Sequence, residues 1–189
     1  IRADDSELLM DFEELGLIEL VVDNDGEGID QLPEGLRNDE AAMAEAIENN
    51  VRKTIIDENP VNPKYYEQMS VLLGELIEKR RKDAINYQEY LEEIKKLAKK
   101  VVNPAAHNHS RYPESMDTTA KQALYDNLEK DEVLVTKIDS AVRYTKKDEW
   151  LGDRFKEREI ANSIREETNS YNVNITEIMD LIKAQKDYH

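Results

Sequence analysis

The sequence predicts a mainly α protein, a multi-helix bundle in which the only stretch suited to an extended run lies near the N-terminus. Three observations carry that expectation. Glycine (6) and proline (5) make up about 6% of the 189 residues, half the usual share of about 12%. Beyond Pro113 there is no proline and a single glycine, Gly152. Apolar residues recur at three- and four-residue spacing through most of the chain, the signature of amphipathic helices. An all-β sandwich or barrel needs frequent turn residues, and these are missing.

Residues Ser6 to Leu15 fit a first helix closed by Gly16. The run Leu17 to Val22 can be extended, and an acidic, glycine-containing loop follows it. Asp39 to about Asp57 fits a second helix, with Met43, Ile47, Val51 and Ile55 on one face. In Asn59-Pro60-Val61-Asn62-Pro63, Asn62 suits an N-cap, and Pro63 suits the first helical position, where its missing N–H costs nothing. That third helix is expected to run to about Ile85 on a stripe of Tyr66, Met69, Leu73, Leu76 and Ile77. Its flaw is Gly74, which costs about 1 kcal/mol against alanine.

Asn86 with Glu89 forms a capping box for a fourth helix, striped by Leu91, Ile94, Leu97, Ala98 and Val101. Asn103 to Asp117 reads as loop. Thr118 or Thr119 can cap a helix through Leu128, and Asp131 opens another with Leu134, Ile138 and Val142. Trp150 to about Glu167 carries Phe155, Ile160 and Ile164. Asn174 with Glu177 caps a last helix containing Ile178, Met179 and Ile182. Amphipathic helices of this length gain most of their stability by burying their stripes against each other. The expected organisation is an appendage over residues 1–38 and a helical domain over residues 39–189.

Composition then excludes several classes. Cysteine is absent, which removes disulfides, thiol nucleophiles and cysteine zinc sites. The net charge of −16 makes autonomous nucleic-acid binding unfavourable, because neutralising phosphates dominates that affinity. Partners of such a surface are expected to be proteins with basic patches. No apolar run approaches a membrane span, so no membrane partner is expected. The start Ile1-Arg2-Ala3 carries no signal-peptide pattern, and the expectation is a cytoplasmic piece of a longer protein.

Catalytic signatures are missing as well. There is no Walker A loop, G-x-G-x-x-G, G-x-S-x-G or H-E-x-x-H. His107 and His109 flank Asn108 in a loop, and His189 is terminal; a solvated loop is the favoured reading. Asn108-His109-Ser110 and Asn174-Ile175-Thr176 match the glycosylation sequon, read as chance without a secretion signal. Asp23-x-Asp25-x-Glu27-Gly28 with Glu34 resembles an EF-hand calcium loop in its oxygen ligands and turn glycine. Asp30 stands where an apolar residue belongs and Pro33 where the exiting helix should run, so an acidic surface turn is favoured over a calcium-binding helical module. Lys79-Arg80-Arg81-Lys82, and Lys95-Lys96 with Lys99-Lys100, suggest an auxiliary DNA-contacting surface. Both clusters also lie in last helical turns, where cations offset the macrodipole, and Glu75, Glu78 and Glu92 stand four residues before Lys79, Lys82 and Lys96. The helical reading is favoured. Tyrosine (9) is abundant while phenylalanine (2) is rare, a composition suited to interfaces and to core edges alike.

Several blocks resemble the C-terminal region of the R subunits (HsdR) of type I restriction enzymes. They are Asn59-Pro60-x-Asn62-Pro63-x-Tyr65-Tyr66-Glu67-x-Met69-Ser70-x-Leu72-Leu73, then Leu76-Ile77-Glu78-x-Arg80-Arg81. Tyr87-x-Glu89-Tyr90-Leu91-x-x-Ile94, Tyr112-Pro113 and Ala123-Leu124-Tyr125-Asp126-Asn127-Leu128 continue the likeness, followed by Trp150-x-Gly152 and Lys156-Glu157. The similarity runs from about Ala46 to the C-terminus; the acidic stretch Asp23 to Glu34 departs from it. The resemblance implies a parent subunit with a PD-(D/E)xK nuclease and two RecA-like motor domains, which use ATP and Mg²⁺. None of their signatures is found in this chain, which is therefore expected to be no enzyme by itself and to hold no cofactor. It implies a helical domain that docks the motor and nuclease onto the methylase–specificity core of M and S subunits, meeting DNA only through that complex. By resemblance the partner-contact residues are Tyr125, Asn127, Leu128, Trp150 and Lys156, while the plainer reading has Tyr125, Leu128 and Trp150 packing the bundle.

Overall fold

The computed structural model describes Val22 and residues 39–104 and 111–189. Among these residues the secondary structure is helical, with seven α-helices, a final 3₁₀ turn and no strand. The expected first helix and the 23–34 loop lie outside the described residues, as do His107, His109 and the sequon at Asn108. Of the run Leu17–Val22 only Val22 is described, and it is helical. The chain parts into two compact units, residues 1–57 with 66–107 and residues 58–65 with 108–189, so the expected helical domain 39–189 comprises parts of both.

Among the described residues the first unit holds α1 (Glu40–Glu58), α2 (Pro63–Arg81, whose first turn belongs to the second unit) and α3 (Tyr87–Val102). Asp39 caps α1, its carboxylate accepting from the N–H groups of Ala41 and Ala42 at 3.1 and 3.0 Å. The predicted stripe Met43, Ile47, Val51 and Ile55 is buried, as are Met69, Leu73, Leu76 and Ile77 on α2. Helix α2 ends at Arg81, four residues before the expected end. The cause is Asp83, which takes a left-handed conformation (φ 51°). The N–H of Ala84 then donates to the Lys79 carbonyl at 2.9 Å and that of Asp83 to Arg80 at 3.1 Å, a Schellman closure. The predicted capping box of Asn86 and Glu89 starts α3. On α3 the fully buried residue of the first turn is Tyr90, whereas Leu91 is half-buried.

The second unit contains α4 (Thr119–Asn127), α5 (Glu132–Thr145), α6 (Arg154–Glu167), α7 (Ile175–Ala184) and the 3₁₀ turn Lys186–Tyr188. Each α-helix starts on a side-chain cap: Thr118, Asp131, Asp153 and Asn174. These caps satisfy donors that the first helical turn leaves orphaned. α5 packs chiefly against α6, and the core holds Leu124, Ile138, Trp150, Ile160, Ile178 and Ile182. Met116, expected in a loop, is buried in this core, as is Tyr188 at the chain's end. Phe155, expected on the buried face of α6, is 84% exposed. Five residues separate it from Ile160, about 140° around the helix, so both cannot face the core.

Candidate functional site

The tyrosine excess has a structural use. In the first unit the Glu48 carboxylate is buried; it accepts from the Tyr90 hydroxyl at 2.9 Å and from Arg80 Nε at 2.9 Å. The Arg80 guanidinium also lies 5.4 Å from the Tyr90 ring centre. The second unit holds two such triads. Asp139 accepts from the Tyr188 hydroxyl at 2.8 Å and from Arg143 Nε at 3.0 Å, with Arg143 5.3 Å from the Tyr188 ring. Asp126 accepts from the Tyr112 hydroxyl at 2.6 Å and from Arg111 at 3.3 Å, with Arg111 5.5 Å from the Tyr65 ring. A buried carboxylate is tolerated only when paired and hydrogen-bonded, and each triad supplies both. Burial, reinforced by the adjacent carboxylate, pushes the hydroxyls of Tyr90, Tyr112 and Tyr188 above the usual phenol range. They remain donors at neutral pH.

The Asp126 triad is also a junction. Asn62 donates to Asp126 at 2.9 Å, Asn127 donates to Asn62 at 2.8 Å, and the N–H of Lys64 donates to Asn127 at 3.3 Å. Residues about 64 apart in sequence are thus tied where α2 begins and α4 ends. Beside this junction, within the second unit, runs a groove of about 940 Å³. Pro60, Pro63 and Lys64 form one side, Leu128 to Leu134 another, and Tyr171 to Leu181 the third. No sequence motif announces it, because three separate stretches build its walls.

The structure places the five expected contact residues in different settings. Asn127 and Leu128 line the groove. Asn127 is spent on the junction, its side chain also donating to the Ala123 carbonyl at 2.8 Å. Tyr125 and Leu128 are half-buried against the core. Trp150 is 2% exposed, and its Nε1–H donates to the Tyr188 carbonyl at 2.7 Å, so its ring presents no open surface. Lys156 closes the turn before α6 by donating to the Asp148 carbonyl at 2.8 Å. A different pair is open: Tyr144 is 95% exposed, and Phe155 lies one turn before Glu159, whose carboxylate accepts from Lys147 at 2.7 Å.

The basic clusters are partly engaged. Arg80 turns inward to Glu48. Lys82 pairs with Glu78 at 3.0 Å as the spacing predicts, whereas Lys96 pairs with Glu93 at 2.8 Å in place of the expected Glu92. Glu93 lies three residues before Lys96, and i,i+3 is the other spacing that faces side chains together. Among the described residues no cluster of His, Asp and Glu is placed to hold a metal, and no helix is long and apolar enough to cross a membrane. Comparison with known protein families, curated proteins and solved structures finds no match.

Proposed function

We propose that this chain is a protein-docking module, the C-terminal helical domain of a type I restriction enzyme R subunit. In this role it holds an ATP-driven motor and nuclease on the M–S core and contributes no catalytic group of its own. ATP and Mg²⁺ act in other domains of the parent protein, and DNA is met only through the assembled complex. One observation supports the reading. The blocks that carry the resemblance, Asn59–Pro63, Tyr112-Pro113 and Ala123–Leu128, converge on the Asp126 junction, and the first and last of them supply residues to two sides of the groove. Such a junction, braced by buried charge-assisted hydrogen bonds, suits a tether that must transmit force.

The test is sedimentation of the chain with the M–S complex encoded beside its gene, with duplex DNA as the control. Co-sedimentation with the core and not with DNA is the expected result. Sedimentation with DNA alone, or with neither, overturns the docking role.

A further inference from the structure

The groove of the second unit has a chemistry that selects its occupant. Its apolar surface comes from the half-buried Leu128, Tyr171 and Val173, over a floor of the buried Leu134 and Leu181. Around these stand four carboxylates, Glu129, Asp131, Glu177 and Asp180, against a single amine, Lys64. Asp131 and Glu177 are held in place by helix starts: Asp131 accepts from the Leu134 N–H at 2.9 Å, and Glu177 accepts from the Asn174 amide at 2.8 Å. Glu129 is presented from a left-handed turn (φ 54°) just after α4, which the Lys130 N–H closes by donating to the Tyr125 carbonyl at 3.0 Å. Three of the four rim carboxylates are therefore carried at helix ends, and Asp180 stands within α7.

The geometry points to a basic amphipathic helix of a partner protein as the ligand of this groove. Its apolar stripe would cover Leu128, Tyr171 and Val173, and its lysines or arginines would reach the rim carboxylates. Two other occupants are disfavoured by charge. Nucleic acid would bring phosphates against four carboxylates. A second copy of this chain, at net charge −16, would bring acid against acid. The inference deepens the docking reading by naming a face and the chemistry that face accepts.

The experiment uses a fluorescein-labelled amphipathic leucine–lysine peptide as the probe, read by anisotropy with the whole chain. Its leucine–glutamate counterpart and a scrambled leucine–lysine peptide of equal charge are the controls. Only the amphipathic basic peptide is expected to bind tightly. The double variant Glu129→Lys, Asp180→Lys should weaken it by about tenfold or more, because it reverses two of the rim charges. The charge-matched variant Glu45→Lys, Glu92→Lys, on exposed positions of the first unit, should change it less than about twofold. Equal weakening in both variants, equal binding of the scrambled peptide, or no binding overturns the inference. The two proposals fail separately: loss of the groove effect with core co-sedimentation intact removes only the groove, and groove binding without co-sedimentation removes only the restriction-enzyme role.

Discussion

In the first unit the buried carboxylate, its arginine and its tyrosine come from three different helices, so Glu48, Arg80 and Tyr90 staple α1, α2 and α3 together. In the second unit Asp139 takes its arginine from the next turn of its own helix and its tyrosine from the end of the chain. The chemistry is the same and the mechanical consequence differs. Glu48 holds α1, α2 and α3 at once. Asp139 pins the tail, whose Tyr188 carbonyl in turn receives the Trp150 indole N–H. Exposure differs too: the Arg143 side chain is 42% exposed, that of Arg80 26%. The second unit therefore depends on its last residues, and the first on a carboxylate in the middle of α1.

The largest effect that sharpens this contrast should come from Tyr188→Ala. It empties a fully buried ring site and leaves Asp139 short of a donor, at a cost of about 3–5 kcal/mol. Urea titration followed by the fluorescence of Trp150, the only tryptophan, reads it directly. A cost below about 1 kcal/mol would mean that the tail does not seal the core.

Removing the carboxylates comes next. Glu48→Ala should cost about 3 kcal/mol and Asp139→Ala about 2, because a stranded Arg143 reaches water more easily than a stranded Arg80. Equal costs by thermal denaturation would break the distinction between staple and pin.

Alkaline pH should act on both units. The folded phenols of Tyr90 and Tyr188 hold their protons to higher pH than unfolded tyrosine does. Their contribution is complete below pH 10 and falls as pH rises from there toward the folded values. The expected slope is about 1.4 kcal/mol per pH unit per tyrosine. Urea midpoints from pH 9 to 11 should show it, and the double variant Tyr90→Phe, Tyr188→Phe should make it shallower, leaving the share of Tyr112. The smallest effects belong to local features. Asn86→Ala should cost about 1 kcal/mol through the lost capping box, measurable as a lower melting temperature. Phe155→Ser should stay within about 0.5 kcal/mol, since its ring leaves the core untouched.

Much of the fold is legible along the chain because helix starts are decided within a few residues. Asn86 with Glu89, Asp131 and Asn174 all cap where their spacing predicts, since each satisfies an N–H only two or three residues away. The end of α2 was less legible. A left-handed Asp83 is a weaker signal than the glycine usually found there, and the apolar Ile85 beyond it invites a longer helix. Met116 and Tyr188 sit outside any periodic run, so nothing local marks them as core. The tyrosine excess is visible as a count, but Tyr90 lies 42 residues from Glu48 and Tyr188 lies 49 from Asp139. Of the five expected contact residues, the two that line the groove do so because Pro63 and Tyr171 are folded against their neighbourhood, which spacing does not reveal.

By itself the sequence determined the helical class, the positions of most helix starts and the buried stripes of α1, α5 and α7, because caps and 3.6-residue periodicity act over one or two turns. Tertiary structure alone decided which tyrosine and arginine neutralise each buried carboxylate and where the acidic groove opens. Those choices depend on groups tens of residues apart meeting in a low-dielectric interior, where an unpaired charge is too costly to leave.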